Sequence, residues 1–265
     1  MDILKRNNVK SFGKGDHTMV FAHGYGCDQN VWQDIVDSFS ADYRVITFDY
    51  VGAGLSDLDS YDSERYSKLD GYAQDIIEIY EALGLKDTIL VAHSVSSMIG
   101  VLAAVKRPDF FKNIIFLGPS PRYLNDGTYT GGFEREDLEG LFEMMDNNYL
   151  GWSKALAPSI MANSERPELG ERLSNSFCAT DPAIAKQFAR VTFLSDNRAD
   201  LPKLSVPSLT LQCSNDIIAP LAVGAYINEH APKNTLVVME ATGHCPHMSA
   251  PEETIKIIKD YLKSA

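Results

Sequence analysis

The chain carries no basic patch. Its 24 Lys and Arg stand against 36 Asp and Glu, for a formal net charge of -12, and the basic residues nowhere cluster. That excludes general nucleic-acid binding, which needs a phosphate-neutralising footprint, and an anionic membrane surface would repel the chain for the same reason. Also missing is any apolar run near the ~20 residues of a membrane-spanning helix. The first residues, Met1-Asp2-Ile3-Leu4-Lys5-Arg6-Asn7-Asn8, turn polar at once and do not read as a signal peptide. Cysteine is scarce: Cys27, Cys178, Cys213 and Cys245 are scattered without CxxC spacing, so neither a zinc site nor a disulfide framework is signalled. Four free thiols and a cytoplasmic location are the expectation. There is no internal repeat, linker tract or low-complexity segment. What is there is an apolar share of 45% in 265 residues, enough to bury a substantial core.

Short β-branched runs alternate with amphipathic stretches, the rhythm of βαβ units around a mostly parallel twisted sheet, and the expected fold class is α/β. The strand runs are residues 18–22, 44–48, 88–92, 113–117, 208–212 and 235–239. Helical patterns lie between them, at 29–39, 69–83, 96–107, 222–230 and 251–262. Gly84 reads as a C-cap and Pro108 as a stop. From about Pro121 to Leu204 the alternation ceases. Helical spacing appears in 134–147 and again in 181–193, where Asp181-Pro182 is a cap and first-turn pair. The expected division is a core of 1–120 and 205–265 with a helical lid at 121–204, covering the strand ends where open α/β sheets bind ligands.

The run 88–92 leads into His93-Ser94-Val95-Ser96 and an amphipathic helix. Strand, tight turn, Ser, helix is the setting of a nucleophile elbow, usually G-x-S-x-G. Here Ala92 and Ser96 stand where the motif has glycines, small enough for the turn. His23-Gly24-Tyr25-Gly26 follows another strand and matches the turn that lends an N–H to an oxyanion hole, so the amides of Tyr25 and Val95 are the expected donors. Asp216 and His244 each follow their own strand. Ser, acid, His is the α/β-hydrolase order of a triad, with Ser94 as nucleophile, His244 as base and then acid, and Asp216 fixing the imidazole tautomer. Asn215 cannot hold the charge that Asp216 can. His247 reads as a structural hydrogen-bonder near the site, His93 as a packing or wall residue pointing away from Ser94, and His17 and His230 as surface. Asp49 in Asp49-Tyr50-Val51-Gly52-Ala53-Gly54 reads as a structural turn, and the glycine spacing offers no dinucleotide site. No cofactor or metal is implied.

Longer strings make the reading specific. Phe21-Ala22-His23-Gly24-Tyr25-Gly26-Cys27-Asp28-Gln29, Leu69-Asp70-Gly71-Tyr72-Ala73-Gln74-Asp75, Leu211-Gln212-Cys213-Ser214-Asn215-Asp216 and Gly243-His244-Cys245-Pro246-His247-Met248-Ser249 resemble the RsbQ-like α/β-hydrolases. The plant strigolactone and karrikin receptors are similar. The resemblance implies a four-helix V-shaped lid over a hydrophobic pocket, an intact triad at Ser94, His244 and Asp216, and a signalling role. In that role the partner is a PAS-domain PP2C-type phosphatase, in energy-stress activation of an alternative sigma factor. Ser96 departs from the Gly of the RsbQ-like proteins but is what the plant receptors carry, and Ala92 replaces the usual Gly. Tyr25, Phe133, Trp152, Phe177 and Phe193 are candidates for lining the pocket or for the core of the lid. A stand-alone carboxylesterase or lactonase would carry the same triad.

Overall fold

The computed structural model describes residues 2–264. Helix α1 (Ile3–Arg6) is capped by Asp2, whose carboxylate accepts the amides of Leu4 and Lys5. Then follow β1 (Lys10–Phe12), β2 (His17–Ala22), β3 (Tyr43–Thr47), α2 (Leu69–Leu83), β4 (Thr88–His93), α3 (Val95–Lys106) and β5 (Phe111–Leu117). After β5 come four helices in a row, α4 (Arg135–Asn147), α5 (Tyr149–Met161), α6 (Pro167–Ala179) and α7 (Pro182–Phe193). The chain closes with β6 (Ser208–Asn215), α8 (Leu221–His230), β7 (Asn234–Thr242), α9 (Pro246–Ser249) and α10 (Pro251–Ser264). Among the described residues no helix is long and apolar enough to cross a membrane.

The seven strands form one sheet in the order β1-β3-β2-β4-β5-β6-β7. Only β1 runs antiparallel to its neighbour; the remaining pairs are parallel. Central β4 is buried along its whole length, as expected when helices cover both faces of a parallel sheet. Parallel pairing in register, Ala22 opposite Ala92 and Ala92 opposite Phe116, brings the carboxyl ends of the strands to one edge. His23, Ser94, Asp216 and His244 all emerge there, as the topology of open α/β sheets dictates for ligand sites.

The six strand runs read from the sequence fall in β2 to β7. The short exposed β1 was not among them. The helix expected over 29–39 is instead two 3-10 turns, Gln29–Trp32 and Val36–Ser38. Side chains draw the start of that segment out of a helical ladder: Asp28 accepts the Asn30 amide and Asp49 accepts the Gln29 amide, the competition by which carboxylates favour turns.

The insertion between β5 and β6 carries α4 to α7 and covers the strand ends as a lid. Its neck is closed by the Arg122–Asp196 ion pair at 2.7 Å and by the Asn197 amide on the Pro121 carbonyl at 2.8 Å. Helix α4 begins with a capping box of Glu134 and Asp137. Asp181 caps α7 through the amides of Ala183 and Ile184.

Beneath the lid's α7, Asp75, fully buried, accepts from Arg6 at 3.1 Å, Arg65 at 2.7 Å and the Tyr66 hydroxyl at 3.0 Å. Burial pushes its carboxyl up while the two guanidinium groups pull it down, and burial prevails. This network ties the N-terminal segment to α2. Removing one member of a buried ion group strands the others. Asp75→Ala is therefore expected to lower unfolding stability by about 3–5 kcal/mol, read as a shifted urea midpoint with the triad left intact.

Candidate active site

Ser94 sits between β4 and α3 with φ 56° and ψ -125°, the sharp turn that lifts a nucleophile above the sheet. Its amide is held by the Leu117 carbonyl at 2.8 Å, and its carbonyl accepts the Ser97 amide at 2.9 Å. Ala92 and Ser96 are both fully buried, so large side chains are excluded at both positions. Ser96 does more than fit. Its hydroxyl donates to the His23 carbonyl, which leaves its oxygen to accept from the Tyr50 hydroxyl at 2.9 Å. The residue that departs from the glycine motif thus fastens the nucleophile helix to the turn after β2.

His244 lies with Nε2 at 2.7 Å from Ser94 Oγ and Nδ1 at 2.7 Å from Asp216 Oδ2. All three residues are buried. The carboxylate can only accept, so Nδ1 carries the proton and Nε2 is free to take the one on Ser94. Asp216 is itself oriented, its Oδ1 accepting the amides of Ile218 at 2.8 Å and Ala219 at 3.1 Å. The peptide of His244 is gripped as well: its N–H donates to the carbonyl of Ile160 in α5 at 2.9 Å. Gly243 at φ 82° allows this approach, since a Cβ there would meet the Met161 carbonyl at 2.1 Å. Asn163 adds a bond to the Thr242 carbonyl and Arg166 one to the Ser249 carbonyl. The corner between α5 and α6 is in this way fastened to the loop that carries His244.

The amides of Tyr25 and Val95 have no acceptor among the described residues. The turn bearing Tyr25 is fixed by His23. Its Nδ1–H donates to the Gly24 carbonyl at 2.9 Å and its Nε2 accepts the Tyr50 amide at 3.2 Å. Acceptance at Nε2 requires the neutral ring, and burial holds the pKa of His23 below the usual imidazole range against the pull of Asp49. Asp49 accepts from the amides of Gln29 and Leu55 and from the Asn8 side chain, the structural turn its sequence setting implied.

Two histidines differ from their sequence reading. His247 makes no hydrogen bond at either nitrogen. It is fully buried, with its ring 4.5 Å from those of Trp32 and of His93, so it packs as an aromatic ring, and burial drives its pKa well below the ordinary value. His93 does not simply point away: its Nε2 donates to the His244 carbonyl at 2.9 Å, and its ring lines the same cavity as Ser94. Burial first, and then the neighbouring His244, lower its pKa to about 3. His17 is exposed, and His230 stacks on Tyr226 at 3.8 Å.

The cavity over Ser94 and His244 measures about 30 Å³ and is walled by Tyr25, Cys27, His93, Tyr123, Ile160, Leu173, Phe177, Thr192, Phe193, Ile218 and Cys245. So narrow a cavity suits a small apolar ligand, and a larger one would call for movement of the lid or its side chains. Tyr25, Phe177 and Phe193 are on its wall. Trp152 stands one layer back, stacked on Phe177 with centroids 6.0 Å apart, and Phe133 packs on Phe193 at 5.9 Å. Sequence reading missed Tyr123, Thr192 and Ile218. Only Ile218, two residues after Asp216, carried a positional signal. All four cysteines are unpaired, and burial pushes Cys27 up to about 12.

The model of the Alpha/beta hydrolase family matches residues 19–257. The chain belongs to that family. It is 41% identical to Karrikin insensitive 2 receptor CA of Petunia hybrida over 98% of this chain and 97% of the relative. With Strigolactone esterase RMS3 of Pisum sativum the identity is 38% over 94% of each chain. Among solved structures, a hydrolase from Oleispira antarctica superposes with a TM-score of 0.97 at 43% identity, covering 100% of this chain and 97% of that one. Esterase relatives at this identity, together with the hydrogen-bonded Ser94–His244–Asp216 arrangement, make the chain a serine hydrolase.

Ser96→Ala would leave the His23 carbonyl and the Tyr50 hydroxyl buried without their partner. The expected result is a loss of about 1–3 kcal/mol in stability and slower labelling of Ser94 by an activated phosphonate, measured by denaturant titration and by mass spectrometry over time.

Proposed function

We propose that Ser94 attacks the carbonyl of a small hydrophobic ester or lactone. His244 takes its proton and returns it to the leaving oxygen; Asp216 stabilises the imidazolium, and the amides of Tyr25 and Val95 receive the oxyanion. Water, activated by the same imidazole, then releases the acyl group. The observation that carries this is the unbroken chain of 2.7 Å contacts from Ser94 through His244 to Asp216 at the wall of a buried cavity. The substrate class is supported by that cavity's apolar and aromatic wall and the absence there of any Lys or Arg to hold an anionic head group. The names of the karrikin receptor and strigolactone esterase relatives point the same way. Turnover is slow in this reading, because a hydrolase that signals need not turn over fast.

The signalling part of the proposal has narrower support. Receptors among the relatives favour a hydrolase whose occupancy is passed to a protein. A PAS-domain PP2C-type phosphatase as that protein, energy-stress activation of an alternative sigma factor as the output, and the cytoplasm as the setting rest on the sequence resemblance. The division into a core of 1–120 and 205–265 and a lid of 121–204 belongs to the same proposal. A stand-alone carboxylesterase or lactonase is the second reading, favoured by the esterase among the relatives. Exposed residues of α4 separate the two: changing Arg135, Glu139 and Glu143 should weaken a stress response while ester hydrolysis stays near wild type. A stress response unaltered by deletion of the protein leaves the esterase.

An activated phosphonate should label the wild type, and Ser94→Ala should abolish labelling with the fold intact. His244→Ala should suppress it strongly and His247→Ala much less. Asp216→Asn is expected to lower kcat by about 10⁴. Labelling that survives Ser94→Ala would sink the assignment.

A further inference from the structure

His93 is the residue immediately before the nucleophile, and its ring stands between the two other parts of the machinery. On one side its Nε2–H donates to the His244 carbonyl at 2.9 Å, with the two rings 5.1 Å apart. On the other it lies against the turn that bears Tyr25, so close that a Cβ on Gly24 would come within 2.5 Å of its Nδ1. His247 backs it at 4.5 Å and Trp32 at 6.4 Å. The tautomer follows from the partner: a carbonyl only accepts, so the proton is on Nε2 and the Nδ1 lone pair is buried without a hydrogen bond. A residue that served only to fill this space would be better as Leu or Phe, which bury no orphaned nitrogen.

We propose that His93 is a positioning residue for the base, and the inference rests on the triad reading given above. Its donor fixes the carbonyl of His244 while the lid carbonyl of Ile160 fixes the amide. Held on both sides of its Cα, the backbone of His244 sets the direction of the Cα–Cβ bond and hence the line from Nε2 to Ser94 Oγ. Without the bond to His93, the peptide that joins His244 to Cys245 is free to tilt, and the 2.7 Å approach to Ser94 opens. A misplacement of about an ångström can cost on the order of 10²-fold in rate, and the loss falls on kcat because the group displaced is the base and not a contact to the substrate.

The test compares three variants of the full chain on p-nitrophenyl acetate, each with its thermal midpoint. His93→Leu keeps the bulk and removes the donor. His93→Gln keeps a side-chain amide N–H long enough to reach the His244 carbonyl, and His93→Asn carries the same group too short to reach it. His93→Leu and His93→Asn should lose about tenfold to hundredfold in kcat with KM little changed, and His93→Gln should recover most of that loss. If His93→Leu does not fold, the Gln and Asn pair carries the comparison. A fully active His93→Leu, a Gln variant no better than Asn, or a loss carried by KM would overturn the inference. Ser94→Ala run in parallel keeps the two readings apart: if it still turns over, the triad reading fails, and if it is dead beside a fully active His93→Leu, only the role of His93 fails.

Discussion

At Ser94 the chain passes from strand to helix through a backbone conformation, φ 56° and ψ -125°, that costs a side-chain-bearing residue on the order of 1–3 kcal/mol. Such a conformation persists only where its surroundings over-determine it, and here they do. β5 holds the Ser94 amide, the first turn of α3 holds its carbonyl, and Ser96 bonds the helix to the turn after β2. The strain does geometric work. It lifts Oγ to meet His244 and leaves the Val95 amide at the free N-terminus of α3, where no intrahelical acceptor competes for it.

Around that point the enzyme is assembled from backbone as much as from side chains. His23 holds the turn of Tyr25 by one bond to its own chain and one to Tyr50; Asp49 holds the next turn; Asp216 is itself held by two amides. Burial helps to hold His23 and His93 in the neutral form. The result is a site in which few atoms need to reorganise when charge develops on the substrate, the condition under which electrostatic stabilisation is most effective.

Much of this is legible in the amino-acid order, for identifiable reasons. Ser94, Asp216 and His244 each follow a β-branched run, so a strand-by-strand reading delivers them to one sheet edge in triad order. Asp181 and Gly84 announce their helix ends through local chemistry. What stays hidden depends on distant partners or weak patterns. The His93 bond joins residues 151 apart and ends on a carbonyl, which has no residue type. Helix α5 is apolar and carries Pro158 within it, so its face is blurred, and β1 has three exposed residues at the sheet edge. His247 has the polarity of a hydrogen-bonder and is used as a ring. Ser96 read as a tolerated departure and proves to be a fastening.

The bond from the His244 amide to the Ile160 carbonyl makes the lid part of the catalytic base's own support. The cavity beside that bond measures about 30 Å³, so a movement of the lid that widened it would pull on the support of the base. Reciprocity then follows from thermodynamics: whatever biases the corner of α5 and α6 biases His244 by the same free energy, and the state of His244 biases the corner in return. An acyl group on Ser94 that displaced the imidazole would therefore be felt at the corner of α5 and α6.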